Sequence, residues 1–221
     1  MITVSTDGSC LRNPGGAIGW AWVGHDGTEA SGGAASGTNQ VAELTAVLEA
    51  IVAHPGADTL RIEADSQYAI KCASQWVHAW RRRGWRTAGG GPVQNLALVQ
   101  AIERAIAQRA GEVVFAWVRG HRGDRFNERA DVLAGVAARE AAAGRATGST
   151  APALAMLDTV AGVPDAGAGV RDEGAGASGA VTDRRGRSGG SDATAGRRGT
   201  DHRPGRAATV RAETVQAETL F

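Results

Sequence analysis

Asp7, Glu43, Asp65 and Asp131 are the residues of this chain best suited to chemistry. Each falls at the end of a predicted strand or near the start of a predicted helix. If such carboxylates converge, each raises the pKa of the others. Hard divalent cations relieve that repulsion, and an all-oxygen set suits Mg²⁺, which keeps water and takes substrate phosphate oxygens. Two ions roughly 3.5–4 Å apart can stabilise the attacking and leaving oxygens of an in-line phosphoryl displacement. That chemistry needs no side-chain nucleophile. Gly8, directly after Asp7, lets another backbone approach, read here as that of a nucleic acid.

The elements that must position these acids follow from periodicity. Ile2 and Val4 alternate with Thr3 and Ser5, a first strand that stops at Asp7. Ala17–Val23 is a second strand, and Asp26-Gly27 supplies a hairpin turn to a weak third that runs to about Ala35. Thr38 or Asn39 caps a helix on which Val41, Leu44, Leu48, Ile51 and Val52 recur at helical spacing. Thr59–Asp65 is a fourth strand, again ending in an aspartate. The strand–helix–strand step predicts that strands one and four are parallel neighbours, with Asp7 and Asp65 at one end of the sheet. Ser66–Arg83 reads as one helix, and Leu96 to Ile106 as another. Val113–Val118 is a nearly continuous apolar strand, as in a sheet covered on both faces. Asn127–Asp131 opens a last helix whose apolar side is read as Val132, Leu133, Val136 and Ala137. Taken alone, Glu43 and Asp131 also have a plain reading as acids favoured near a helix N-terminus.

Composition bounds the rest. The chain has 221 residues, with 24 Lys and Arg against 23 Asp and Glu, so net charge says little about partners. Its six tryptophans all lie in the first 120 residues or so. The folded domain is therefore placed at 1–144. Cys10 and Cys72 make neither a disulfide framework nor a zinc site. The start has no basic or apolar leader pattern, and no stretch is apolar enough to span a bilayer. A cytoplasmic protein without a membrane partner is expected, and a monomer. Arg81-Arg82-Arg83-Gly84-Trp85-Arg86 joins cations to an aromatic, as phosphate contact and base stacking require. Residues 145–215 are poor in large apolar side chains and read as a disordered low-complexity linker. Residues 216–221 end on Leu220-Phe221, apolar residues with no core to join.

Several stretches, in order, resemble the bacterial type 1 ribonuclease H family: Thr6–Gly15, Thr38–Leu44, Asp65–Tyr68, Trp76 to Trp85 with its arginines, Pro92–Asn95, Trp117–His121 and Asn127–Asp131. The resemblance covers about 1–143. It implies an α/β ribonuclease H-like fold, a five-stranded mixed sheet with its first three strands antiparallel and helices on both faces. It implies an endonuclease that cleaves the RNA strand of RNA–DNA hybrids, giving 5′-phosphate and 3′-hydroxyl ends. By position, Asp7 bridges two Mg²⁺ ions, with Mn²⁺ as the alternative. Asp131 completes the attacking-water side, and Glu43 with Asp65 the leaving-group side. His121 aids proton movement or product release. Asn13, Asn39, Gln40 and Gln67 match positions that read the minor groove and the 2′-hydroxyls. Thr38 and Asn95 match a pocket for a DNA-strand phosphate. Trp80, Arg81, Arg82 and Trp85 belong to the matching basic protrusion, and Asn127 is also placed on substrate.

Two departures stand out. No basic residue supports the phosphate pocket near Ser36, and Gly89-Gly90-Gly91 replaces lysines that relatives carry in the protrusion. Gln216, Leu220 and Phe221 resemble the six-residue sliding-clamp-binding peptide, which implies a tether at replication sites. Two other readings remain open: a catalytically silent hybrid- or clamp-binding adaptor, and another nuclease of the same fold. The intact carboxylates oppose the first; the Asn/Gln set and the basic protrusion oppose the second.

Overall fold

The computed structural model describes residues 1–120 and 122–145, together with the backbone of 210–214. Strands β1 (Ile2–Cys10), β2 (Ile18–Gly24) and β3 (Glu29–Ala34) form the expected antiparallel meander. Helix α1 (Asn39–Ala53) crosses to β4 (Leu60–Ala64), which pairs parallel with β1. Strand β5 (Val113–Trp117) continues the parallel part. The five expected strands are all present. A sixth, β6 (Val210–Thr214), pairs parallel with β5, so the sheet order is β3-β2-β1-β4-β5-β6. This strand lies within the stretch read as linker, where composition alone gave no reason to expect one.

Helix α1 covers one face through Leu44, Val47, Leu48 and Ile51, packed with Val4, Ile62 and Phe115. Helix α4 (Leu96–Gln108) adds Leu98, Val99 and Ile102 to the same core. The segment read as one helix from Ser66 is three pieces: α2 (Gln67–Ile70), a π-helical stretch (Lys71–Trp76) and α3 (Val77–Arg82).

Helix α5 (Arg125–Ala142) lies on the opposite face, and its buried side is the expected one at Ala137 but not at Val132 or Val136. Val132 and Val136 are 53% and 41% exposed, whereas Ala130, Ala134, Ala137 and Ala138 are buried. The cause is close packing of small residues. A Cβ on Gly19 of β2 would stand 2.1 Å from the Ala134 carbonyl oxygen, so helix backbone rests almost on sheet backbone. Only alanine fits in that gap, and the valines turn outward.

Candidate active site

Register explains why two aspartates meet. The parallel pairing of β1 with β4 ends at Thr6 and Ala64. Asp7 and Asp65 come next on their strands, side by side where the ladder stops. Strand β1 itself does not stop there; it continues to Cys10 against β2, so Asp7 is mid-strand rather than terminal as expected. Its Oδ1 accepts a 2.6 Å hydrogen bond from the Gly8 N–H.

Gly8 has a role other than the one expected. A Cβ there would lie 2.3 Å from the Glu43 nitrogen. The backbone that needs the space is that of α1, not of a nucleic acid. This contact seats the second turn of α1 on β1 and brings Glu43 beside Asp7. The Thr38 hydroxyl caps the helix by accepting from the Val41 N–H. Asn39 Nδ2 donates to Glu43 Oε1 at 2.8 Å, and the Ser66 hydroxyl donates to Glu43 Oε2. Ser66 also caps α2, accepting from the Ala69 N–H. One hydroxyl therefore ties the α1 acid to the turn that carries Asp65.

Asp65 is held by its backbone and its surroundings. Trp117 Nε1 donates to the Asp65 carbonyl oxygen at 3.0 Å. A Cβ on Gly120 would fall 2.3 Å from Asp65 Oδ2, so the loop after β5 lies close against that carboxylate and a larger residue there would have to displace it. Thr6, Asp7, Glu43, Ala64, Asp65, Ser66 and Ala69 line the resulting depression.

The electrostatics follow from this crowding. Burial, then the charge of Asp65, push the Asp7 carboxyl up to about 8; Asp131 and Glu43 add to the rise, and the Gly8 N–H opposes it. All four expected acids thus act on one point. Burial also raises Glu43, and Asp65 adds to this, while the Ser66 and Asn39 hydrogen bonds pull it down. Among the described residues no group of three His, Cys, Asp or Glu is already set as a metal cage. The donor set nevertheless suits a hard divalent ion. It is all oxygen and short of positive charge, and Mg²⁺ needs few direct protein ligands.

The other expected polar residues have the following places. Asn13 is exposed and its Oδ1 accepts from the Asn39 N–H at 3.2 Å. Gln40 is half-buried on α1 and Gln67 exposed at the start of α2. Asn95, with φ +52°, donates from Nδ2 to the Tyr68 hydroxyl at 3.1 Å. On the arginine-rich arm, Trp80 packs at 5.5 Å from Trp76, and the Trp85 N–H donates to the Trp80 carbonyl at 2.7 Å. Arg82 is exposed, but Arg81 is paired with Glu103 at 2.7 Å. An exposed pair of this kind is worth only about 0–1 kcal/mol and yields readily to a phosphate.

Asn127 differs from expectation. It is 2% exposed, with Oδ1 unpartnered, so it offers almost no surface to a substrate. His121, and the terminal Gln216, Leu220 and Phe221, lie outside the described residues. Ser66, Trp117 and Gly120 are supports that the sequence reading did not single out. Ser66 left a signal, a capping residue directly after a strand-ending aspartate. Among the described residues no helix is long and apolar enough to cross a membrane.

Comparison with known proteins gives the same answer from another direction. The family model described as RNase H matches residues 1–139. A ribonuclease H of Polaromonas naphthalenivorans (strain CJ2) is 43% identical over 136 residues, covering 60% of this chain and 84% of that protein. One from Cupriavidus metallidurans is 44% identical over 137 residues, covering 60% and 92%. Among solved structures, LC9-RNase H1, described as a type 1 RNase H with the type 2 active-site motif, superposes with a TM-score of 0.54. It is 29% identical, over 73% of this chain and 81% of that one. The matched stretch includes every strand and helix that brings the acids together, and on that ground the chain belongs to the bacterial type 1 ribonuclease H family of nucleases.

Proposed function

We propose that this protein is an endonuclease that hydrolyses the RNA strand of RNA–DNA hybrids, leaving 5′-phosphate and 3′-hydroxyl ends. The observation that carries the reading is the charge conflict at Asp7, on which Asp65, Asp131 and Glu43 all act. Binding alone would not need a set of acids so costly to the fold. Asp7, Glu43, Asp65 and Asp131 would hold Mg²⁺, in two sites, with Mn²⁺ as a substitute, and ions held there would supply positive charge to the attacking and leaving oxygens of an in-line displacement.

The chain's own residues orient and select. Asn39 and Ser66 fix both oxygens of Glu43. Trp117 and Gly120 fix Asp65 from the β5 side. Asn13, Asn39, Gln40 and Gln67 present amides suited to 2′-hydroxyls and base edges in a wide minor groove. Thr38 and Asn95 receive a phosphate of the DNA strand. Trp80, Arg81, Arg82 and Trp85 grip the hybrid by stacking and phosphate contact. His121 moves a proton or assists product release. The terminal Gln216, Leu220 and Phe221 dock on a sliding clamp; equal clamp retention by the full chain and by one lacking residues 216–221 overturns that part.

The test is a substrate panel in Mg²⁺: labelled RNA–DNA hybrid, duplex RNA and duplex DNA, with wild type and Asp7→Asn. Wild type is expected to cut only the RNA of the hybrid, and Asp7→Asn to be slower by about a thousandfold or more. Intact hybrid with folded wild type, or equal cutting of all three substrates, overturns the reading.

A further inference from the structure

Among the described residues the catalytic sheet without β6 would end on two outer strands, β3 at one side and β5 at the other; α5 packs on the face of β3, and β5 is the edge on which a further strand is found. An apolar strand with an open ladder is a liability, and proteins cover such edges or pair them. Here the pairing strand comes from the same chain. Val113 through Trp117 pair in parallel register with Val210 through Thr214, and β6 also runs beside the π-helical stretch. In sequence Val210, Ala212 and Thr214 alternate with Arg211 and Glu213, the period of a strand. The intervening residues 146–209 amply span a crossover, and a long connection lowers effective concentration only as about the −3/2 power of its length.

We propose that the outer edge of β5 is a docking edge whose occupant is this chain's own segment Val210–Thr214, latched within one molecule. The parallel direction has a consequence. Thr214 stands beside Trp117, Trp117 beside Ala64, and Ala64 beside Thr6. The chain therefore leaves the sheet at the end that carries Asp7 and Asp65. This does not depend on the substrate assigned above.

Hydrogen-bond direction makes the test specific. The Val118 N–H donates to Ala64, and the Glu112 carbonyl accepts from Leu60, so even-numbered positions of β5 face β4. Successive N–H groups of a strand point to opposite edges, so those of Val113, Phe115 and Trp117 face β6. Of Arg211 and Ala212, one N–H must likewise face β5, and proline at both removes it. Amide hydrogen exchange is therefore compared by NMR in full-length wild type and full-length Arg211→Pro/Ala212→Pro. Phe115 and Trp117 are expected to exchange at least about tenfold faster in the variant, with Val114 and Ala116 unchanged. Wild-type protection should not change on dilution. As an independent readout, a nitroxide on Thr214→Cys, with Cys10 replaced by serine, should broaden the Trp117 and Val118 amide signals. That readout decides the matter if the proline pair unfolds the domain. Equal exchange of Phe115 and Trp117 in both folded proteins, or no broadening, overturns the proposal. So does protection that falls on dilution together with a dimeric mass, which would make the occupant a second copy.

Discussion

Asp7 sets the terms at the scale of single residues. Its carboxyl has a folded-state pKa near 8 against an ordinary value of 3.8. Between those values the folded state holds a proton that the unfolded state has lost, so stability falls as pH rises through that window. In EDTA the wild type should therefore be most stable below about pH 4 in this respect and lose that contribution by about pH 8. Asp7→Asn removes the penalty. The metal-free variant should exceed wild type at pH 8 by roughly 2 kcal/mol, after discounting for solvent at the site, although it loses hydrolysis. Thermal melts at both pH values check this, and Mg²⁺ should raise the wild-type melting temperature more than the variant's. Ser66 acts one step further out. Ser66→Ala leaves Glu43 Oε2 without its donor. It should lower kcat/KM about 10-fold and raise the Mg²⁺ concentration for half-maximal activity, read from a metal titration of the rate.

At the scale of elements, the junction of α5 with β2 decides where Asp131 sits. Gly19→Ala puts a methyl into the Ala134 carbonyl and should cost about 1–3 kcal/mol in urea denaturation. Ala138→Leu should cost a similar amount, about 1–3 kcal/mol, because Ala138 is fully buried. Val136→Lys, on the outer side, should change stability by no more than about 0.5 kcal/mol. This contrast also marks what could be read from the sequence. Strands β1 and β4 were legible because alternation ended twice in aspartate, and the crossover rule then made them neighbours. The buried side of α5 was not, because a face of alanines laid on glycines has no hydropathy contrast, while the outward valines do. Gly8 was read correctly as a close approach and assigned the wrong backbone; sequence spacing does not say which element arrives. The π-helical turn at Lys71–Trp76 shares the apolar period of an α-helix closely enough to hide in it. Strand β6 has only five residues in a long polar tail, and its pairing depends on an edge that only the folded sheet presents.

For the whole molecule, one sheet polarity organises everything. The parallel strands β1, β4 and β5 run the same way, so Asp7, where the β1–β4 ladder stops, and Asp65, directly after β4, lie side by side, and Glu43 of α1 and Asp131 of α5 act on Asp7 as well. The central claim is that this gathering of acids exists to hold divalent ions against an RNA phosphate. The most direct test is anomalous scattering from crystals of the Asp131→Asn chain with RNA–DNA hybrid and Mn²⁺. The account predicts two peaks roughly 3.5–4 Å apart, bounded by oxygens of Asp7, Glu43 and Asp65 and by one phosphate of the RNA strand. A hybrid bound with its RNA phosphates away from Asp7, or a map with no anomalous density at these carboxylates, would contradict it.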